Sequence, residues 1–194
     1  MLVLVTGGAR SGKSSFAEAY TAKLGDRGLY IATAQAYDDE MKERIGLHRQ
    51  QREETGFEWT TLEEPLLLTE ALQSFKNKND GKKETDEAVI LVDCLTLWLS
   101  NWLLKVEQMP DMEQLLRAKL DELVAVCQSV ASQGKHLILV TNEVGYGLVP
   151  EYKLGRQFRD LSGTMNRLLA NAADQVFLVT SGIPVELTSL RYKL

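Results

Sequence analysis

The sequence is poor in the residues from which proteins build metal centres and disulfide frameworks. It has two histidines, His48 and His136, and two cysteines, Cys94 and Cys127. A zinc centre takes about four such ligands held close together, so this composition argues against one. The cysteines form no CxxC pair and lie among apolar neighbours, which favours buried free thiols over a disulfide or a metal site.

Long apolar runs and an excess of positive charge are also missing. No apolar stretch approaches the roughly 18 residues that a transmembrane helix needs, and the N-terminus lacks the basic region and cleavage site of a signal peptide. We therefore expect a cytoplasmic protein without membrane insertion. The net charge of −5 argues against bulk electrostatic binding to nucleic acid. The 194 residues, 44% of them hydrophobic, suit one domain spanning residues 1–194.

What the sequence does contain is an alternation of short apolar runs with longer helical patterns. The runs are continuous, which is typical of parallel strands covered on both faces. Strands are predicted at residues 2–6, 29–32, 89–92, 137–141 and 176–180, and the tail at 185–194 could add an edge strand. Helices are predicted at residues 15–24, 95–104, 111–133 and 154–173, and an exposed loop at 74–87. This alternation predicts a doubly wound α/β sheet with helices on both faces.

A phosphate-binding loop follows the first predicted strand. The pattern is glycine, four residues, then Gly-Lys-Ser, between an apolar run and a helical pattern, which is the context that the motif requires. The loop consists of Gly7, Gly8, Ala9, Arg10, Ser11, Gly12, Lys13 and Ser14. Its amides and the following helix N-terminus favour an anion, Lys13 can reach the β- and γ-phosphates, and Ser14 can bind Mg²⁺. The alternative is a glycine-rich turn with a solvated lysine, which the flanking pattern disfavours.

Asp93 ends the apolar run at residues 89–92. An acidic residue at this point is the second half of a phosphate-binding-loop site, where it holds Mg²⁺ directly or through water. In isolation it could equally cap the helix predicted at 95–104. Because a phosphate-binding loop lies upstream, we favour Asp93 as a metal ligand together with Ser14.

A charge-rich segment, residues 38–58, contains His48. If it is helical, Ile45, His48 and Arg52 share one face. A neutral imidazole is a nucleophile towards phosphorus, and Arg49 and Arg52 could neutralise phosphate oxygens during an attack. The spacing alone favours a plainer interpretation, a solvated helix with a surface or half-buried histidine.

Two further segments carry groups that could contact a ligand. Glu63 could accept hydrogen bonds from a purine or ribose, but alone this stretch suggests a helix N-terminus with Thr61 as cap and Glu64 in the capping-box position. The loop at residues 142–147 follows a predicted strand, and loops at strand carboxyl ends line the ligand crevice in such sheets. A simple connecting loop is the alternative there.

These motifs, in this order, resemble the family of bifunctional adenosylcobinamide kinases / adenosylcobinamide-phosphate guanylyltransferases of cobalamin biosynthesis (CobU-type). The resemblance covers essentially the whole chain. It rests on residues 5–14, 30–34, 38–41, 44–48, 59–65, 140–145, 149–151 and 158–160. It implies that ATP or GTP phosphorylates the aminopropanol hydroxyl of adenosylcobinamide. GMP is then transferred from GTP to the resulting adenosylcobinamide phosphate, giving adenosylcobinamide-GDP.

The resemblance also implies roles for particular residues. In the family the guanylyl group passes through a covalent histidine intermediate, and His48 matches that histidine. The implied GTP contacts fall on the phosphate-binding loop and on Ala32, Thr33, Ala34, Arg49, Gln50, Gln51, Arg52, Glu63 and Asp93. The implied fold is a RecA-like P-loop NTPase fold with a mostly parallel sheet, and the implied assembly is a homotrimer.

Two other classes of protein fit the phosphate-binding loop by itself. One is a small-molecule or nucleotide kinase without guanylyl transfer, and the other is a nucleotide-binding switch with slow hydrolysis. Covalent labelling by GTP that carries its label on the α-phosphate separates the guanylyltransferase from both.

Overall fold

A computed structural model describes residues 1–35, 39–76 and 89–192. Its strands are β1 (Leu2–Gly7), β2 (Arg27–Ala32), β3 (Glu58–Glu63), β4 (Val89–Asp93), β5 (His136–Val140), β6 (Gln175–Thr180) and β7 (Ile183–Glu186). They form one seven-stranded sheet in the order β3-β2-β4-β5-β1-β6-β7. All neighbours pair in parallel except β6 and β7, which form an antiparallel hairpin. The sheet is therefore mostly parallel, as the continuous apolar runs predict.

Helices cover both faces of this sheet. They are α1 (Lys13–Ala22), α2 (Asp39–Glu54), α3 (Leu68–Lys76), α4 (Leu95–Val106), α5 (Met112–Ser132) and α6 (Lys153–Ala172). β1 shows how one strand serves both layers. Leu2 and Leu4 join the core cluster that includes residues of α3 to α6, whereas Val3 and Val5 join the cluster that includes α1. The alternation follows from the two-residue period of a strand.

The periodic helices form where the sequence predicts them. In α5, Leu116, Leu120, Leu123, Cys127 and Val130 are buried, at the spacing of one helical face. Gly134 follows with a φ of 81°, a left-handed conformation typical of a helix end. Both cysteines are buried and free, which confirms that prediction. Among the described helices, none is long and apolar enough to cross a membrane.

The strand β3 was not predicted, and the helix N-terminus proposed around Thr61 is wrong. Thr61 lies inside the strand, and Glu64 instead accepts hydrogen bonds from the N–H groups of Leu66 and Leu67 (3.2 and 2.8 Å). The strand escapes detection because it lies at the sheet edge and is largely exposed, so it carries no apolar run.

Two boundaries also differ from the prediction. Residues 74–76, assigned to a loop, complete α3, because Phe75 packs against the core one helical turn after Leu72. Residues 77–88 of that predicted loop lie outside the described part of the chain. The edge strand predicted within residues 185–194 is β7, which begins two residues earlier and ends at Glu186. It ends where Glu186 accepts hydrogen bonds from the N–H groups of Thr188 and Ser189.

Candidate functional site

The carboxyl ends of six parallel strands form one edge of the sheet, and most of the predicted site residues lie along it. Ala32, the last residue of β2, is paired with Glu63 on one side and with Asp93 on the other. Asp93 is paired with Val140 of β5, and β5 lies next to β1 and its loop. Because neighbouring strands are about 4.8 Å apart, Glu63 and the loop stand at opposite ends of a row roughly 19 Å long.

The phosphate-binding loop has the geometry of an anion site. Gly12 begins α1 with a φ of 89°, a conformation that other residues rarely adopt. The side chain of Lys13 is buried, and its Nζ donates to the carbonyl of Gly8 at 3.2 Å. The Ser11 hydroxyl is also buried and has no hydrogen-bond partner among the described residues. A phosphate oxygen at the helix N-terminus would supply that partner, so the loop fits a nucleotide.

The other loop residues lie at the rim of this anion site. Gly8, Ala9 and Arg10 are exposed, and Ser14 is half-buried in the first turn of α1.

The β6–β7 hairpin supports the loop from the side. The N–H of Gly182 donates to the carbonyl of Ser11 at 2.9 Å. A Cβ added to Gly12 would lie 3.3 Å from the Cα of Gly182, and one added to Gly7 would lie 2.4 Å from the carbonyl oxygen of Val179. The hairpin therefore leaves no room for a side chain at Gly7 and little at Gly12, a constraint that the loop motif alone does not reveal.

Asp93 does not cap α4, so that alternative is wrong. The N-cap position is Cys94, without a side-chain capping bond, and the peptide between the two residues is cis. The Asp93 carboxylate instead accepts a hydrogen bond from the hydroxyl of Tyr30, with 3.1 Å between the oxygens.

The oxygen ligands at this edge fit Mg²⁺. Ser14 offers a hydroxyl and Asp93 a carboxylate, the hard donors that this ion takes together with substrate phosphates and water. Within the described ranges there is no cluster of three or more His, Cys, Asp or Glu side chains that could hold a metal by themselves. A magnesium ion here would therefore depend on the phosphates of the bound nucleotide.

The segment 32–34 is fixed beside Asp93. The N–H of Thr33 donates to the Asp93 carbonyl at 3.2 Å. Its hydroxyl donates to the carbonyl of Cys94 (2.7 Å) and accepts from the N–H of Cys94 (3.0 Å). Asn101 of α4 donates to the Thr33 carbonyl at 2.9 Å. Ala32 and Ala34 flank this buried threonine and are half-buried.

Arg52 is buried, although the surrounding helix is rich in charge. Only 5% of it is exposed, and its guanidinium carbon lies 3.7 Å from the centre of the Tyr30 ring. Its Nη1 lies 3.9 Å from the carboxylate of Glu18 on α1. Burial raises the pKa of Glu18 to about 7, although Arg52 opposes the rise. Burial, helped by Asp93, also raises the pKa of Tyr30. Arg52 thus anchors α2 to both α1 and the sheet.

His48 lies within α2, which confirms the helix predicted for this segment. It precedes Arg52 by four residues, so the two positions share a face of the helix. The side chains of Ile45, His48 and Gln51 are outside what the structure describes, as is the whole of residues 36–38. Gln50 is exposed, and its Nε2 donates to Glu54 at 3.2 Å.

An open cleft of about 570 Å³ separates α2 from β3. Its lining consists of Arg49, Arg52, Phe57, Trp59, Thr61 and Glu63. Arg49 and Glu63 form an ion pair across it. The rings of Phe57 and Trp59 lie 4.6 Å apart, and the indole N–H of Trp59 is buried without a partner among the described residues. A planar, polar ring fits this combination of aromatic faces and opposite charges.

Phe57 and Trp59 were not predicted as site residues. The sequence shows two aromatic residues shortly before Glu63. They indicate a binding cleft only once the stretch is known to form a strand that faces α2. Part of the predicted set does come together: Arg49, Arg52 and Glu63 line one cleft, and Ala32 links that cleft to Asp93.

Comparison with known proteins gives concordant matches. A family model described as cobinamide kinase / cobinamide phosphate guanyltransferase matches residues 3–187. The bifunctional adenosylcobalamin biosynthesis protein CobU of Escherichia coli is 44% identical, over 96% of this chain and 99% of its own length. The protein of the same name from Salmonella typhimurium is 41% identical over the same shares, 96% and 99%. The corresponding protein CobP of Pseudomonas aeruginosa is 40% identical, over 95% of each chain.

A solved structure supports the fold. The RadB recombinase superposes with a TM-score of 0.53, covering 91% of this chain and 73% of that chain, at 14% sequence identity. At this identity the likeness concerns the fold alone. It confirms the prediction of a RecA-like P-loop NTPase fold.

Proposed function

The chain belongs to the cobinamide kinase / cobinamide phosphate guanyltransferase family, and we propose that it performs both reactions along the carboxyl edge of its sheet. ATP or GTP first phosphorylates the aminopropanol hydroxyl of adenosylcobinamide. GTP then gives its GMP unit to adenosylcobinamide phosphate, which yields adenosylcobinamide-GDP and pyrophosphate.

The phosphate-binding loop holds the triphosphate in both reactions. The amides of residues 7–14 and the N-terminus of α1 face the phosphates, and the Lys13 ammonium moves from the Gly8 carbonyl to the β- and γ-phosphate oxygens. Ser14 and Asp93 would hold Mg²⁺, which neutralises phosphate charge when it is bound. Thr33, Ala32 and Ala34 set the position of Asp93 through the hydrogen bonds around Thr33.

His48 carries the guanylyl group between the two substrates. An imidazole nitrogen attacks the α-phosphorus of GTP, a nitrogen–phosphorus bond forms, and the bond to the β-phosphate oxygen breaks to release pyrophosphate. A phosphate oxygen of adenosylcobinamide phosphate then attacks the same phosphorus and frees the histidine. Lys13 and the loop amides stabilise the departing negative charge.

The cleft between α2 and β3 receives the guanine base. The carboxylate of Glu63 accepts from the N1–H and 2-amino groups, and the guanidinium of Arg49 donates to the 6-oxo group. Trp59 and Phe57 offer aromatic faces to the ring. Residues 50–52 follow on the same helix, and the resemblance to the family supports contacts of Gln50, Gln51 and Arg52 with GTP.

The observation that carries this proposal is the contact of Arg52 with Tyr30. It joins the helix of His48 to β2 and, through the Tyr30 hydroxyl, to Asp93, which supports a site shared by the histidine and the phosphate-binding edge. GTP labelled at its α-phosphate provides the test. We expect an acid-labile label on the wild type, retained in His136→Gln and absent in His48→Ala.

Each outcome of this labelling has a definite meaning. His136 is the only other histidine of the sequence and lies at the amino end of β5, away from the site. If the wild type acquires no label, the guanylyltransferase activity is excluded, and a kinase or a nucleotide-binding switch is the remaining interpretation. We expect His48→Ala to retain cobinamide phosphorylation, and loss of both activities in a folded variant would contradict the division of labour.

We further propose that the protein uses Mg²⁺, assembles as a homotrimer and acts in the cytoplasm. The support is the resemblance of its motifs to the family, together with the magnesium-compatible oxygens of Ser14 and Asp93. Light scattering tests the assembly, since a trimer has three times the 21.7 kDa mass of the chain.

A further inference from the structure

Acidic residues stand at the carboxyl ends of three strands of the sheet. Glu63 ends β3, Asp93 ends β4, and Glu143 follows β5. In the proposed function, Glu63 binds the guanine base and Asp93 is a ligand of Mg²⁺. Glu143 has no task in it, although β5 lies between the strand of Asp93 and the strand of the phosphate-binding loop.

Glu143 is attached directly to the phosphate-binding loop. Its N–H donates to the carbonyl of Gly7 at 3.0 Å, and the N–H of Thr141 donates to the carbonyl of Val5 at the same distance. The β5–β1 ladder thus continues past the end of β5. Glu143 therefore lies opposite the first residue of the loop that holds the phosphates.

A buried polar network fixes the chain just before Glu143. The Thr141 hydroxyl donates to the Oδ1 of Asn166 (2.8 Å), whose Nδ2 donates to the carbonyl of Asn142 (3.1 Å). The N–H of Asn142 donates to the Thr96 hydroxyl at 2.7 Å. Two helices, α4 and α6, thereby hold this strand end, so the backbone of Glu143 is preorganised rather than part of a free loop.

The side chain of Glu143 is also oriented. Its Oε1 accepts from the N–H of Gly145 at 2.9 Å, and Arg159 of α6 donates to the carbonyl of Gly145 at 2.6 Å. The second carboxylate oxygen remains as an acceptor. The neighbouring Oδ1 of Asn142 is buried without a partner among the described residues. Two acceptors beside a phosphate site suit a ligand that brings a donor, and a hydroxyl group is such a donor.

We propose that Glu143 is the general base of the phosphorylation reaction, a role that rests on the proposed function. The aminopropanol hydroxyl of the substrate donates to the free carboxylate oxygen. As the hydroxyl oxygen bonds to the γ-phosphorus, the bond from that phosphorus to the β-phosphate oxygen breaks and the nucleoside diphosphate leaves. The hydroxyl proton passes to Glu143 and then to solvent. Guanylyl transfer needs no such base, because its acceptor is already an ionised phosphate.

The test compares the full-length wild type with Glu143→Gln and with the exposed control Glu151→Gln. Glutamine keeps an oxygen that can accept from Gly145, so the loop retains its hydrogen bond. Phosphorylation is measured with ATP and adenosylcobinamide, and guanylyl transfer with GTP and adenosylcobinamide phosphate. We expect Glu143→Gln to slow phosphorylation by about 100-fold or more and to change guanylyl transfer less than about threefold, since a general base contributes at least about 100-fold.

The split between kcat and KM distinguishes a base from a merely structural residue. Glu143→Gln should lower the kcat of phosphorylation while the KM values for ATP and adenosylcobinamide stay within about threefold of the wild type, because a general base acts on the proton in the transition state and not on substrate binding. An unchanged phosphorylation rate in the variant, or an equal loss of both reactions, overturns the proposed role of Glu143. In either case the proposed function still holds, provided that the wild type catalyses both reactions. Wild type that transfers GMP but never phosphorylates adenosylcobinamide overturns the kinase half and this role together.

Discussion

The guanidinium of Arg52 lies 3.7 Å from the centre of the Tyr30 ring, beneath a helix whose other described side chains are mostly exposed. The Tyr30 hydroxyl in turn donates to Asp93, and Glu18 approaches the guanidinium from α1 at 3.9 Å. One buried cation therefore connects the helix of His48 with the phosphate-binding helix and with the end of β4. We therefore expect the position of α2 to depend on this contact.

Replacing Arg52 with alanine tests that dependence. A desolvated cation–π contact contributes about 2 kcal/mol, so we expect Arg52→Ala to slow labelling of His48 by about 30-fold. Phosphorylation of adenosylcobinamide should fall less, because the loop of residues 7–14 keeps its own support from the β6–β7 hairpin. The measurement is the rate of each reaction, with circular dichroism as the check of folding.

Lys42→Ala is the matched control for Arg52→Ala. Lys42 lies on the same helix, but it is exposed, and among the described side chains its ion pair is with the exposed Asp39 at 2.8 Å. A surface pair of this kind contributes less than about 1 kcal/mol, so both reactions should persist. If Arg52→Ala loses both reactions equally while still folded, Arg52 supports the whole sheet rather than the placement of α2.

The buried parts of the fold were predictable from the sequence, because burial leaves a composition signal. The run at residues 89–92 is apolar on both faces, and β4 is fully buried there. The edge strand β3 has no such signal, since Glu58, Thr60 and Glu63 are exposed and only Trp59 and Leu62 are half-buried. Without that strand, the aromatic side of the cleft could not be predicted.

The burial of Arg52 shows a second limit of sequence reasoning. The dense charges of the segment predict a solvated helix, because charge-rich helices usually are solvated. Arg52 is buried only because Tyr30 and Glu18, distant in sequence, meet it in the folded protein. Local patterns cannot encode such a contact. By contrast, the phosphate-binding loop was predictable because its geometry is set by adjacent residues.

Glu63 should determine the preference for guanine. A hydrogen bond to a charged group contributes about 1.5–3 kcal/mol, so the wild type should use GTP at least about tenfold better than inosine triphosphate, which lacks the 2-amino group. Glu63→Gln should bring the two rates close together. Glu58→Gln, on the exposed start of the same strand, is the control and should keep the preference. An unaltered preference in Glu63→Gln would mean that guanine is recognised elsewhere.

Lys13 should serve both reactions. Removing a charge that stabilises the leaving phosphate typically costs about 100-fold or more, so Lys13→Ala should lose phosphorylation and guanylyl transfer alike. Lys23→Ala is the control, because Lys23 is exposed at the other end of α1. Steady-state rates of both reactions provide the measurement. Full phosphorylation by Lys13→Ala would count against a loop shared by the two reactions.

Glu18 should make the stability of the protein depend on pH. Burial raises its pKa from 4.5 to about 7, with Arg52 opposing and Asp93 adding to the rise. Below pH 4.5 the carboxyl of Glu18 is protonated in both the folded and unfolded states, so its burial does not lower the free energy of unfolding. Between these values the unfolded chain loses the proton first, and the free energy of unfolding therefore falls as the pH rises. Above about pH 7 the carboxylate is ionised in both states, and the free energy of unfolding has fallen by up to about 3 kcal/mol.

Glu18→Gln removes this titration while keeping the shape of the side chain. We expect its free energy of unfolding, measured in urea, to gain on that of the wild type as the pH rises from 4.5 to 8, by up to about 3 kcal/mol. Glu43→Gln, an exposed position on α2, makes the same change in charge and should show no such trend. If the two variants track each other across this range, the carboxylate of Glu18 is no harder to ionise in the folded protein than in the unfolded chain. Arg52 would then compensate its burial in full.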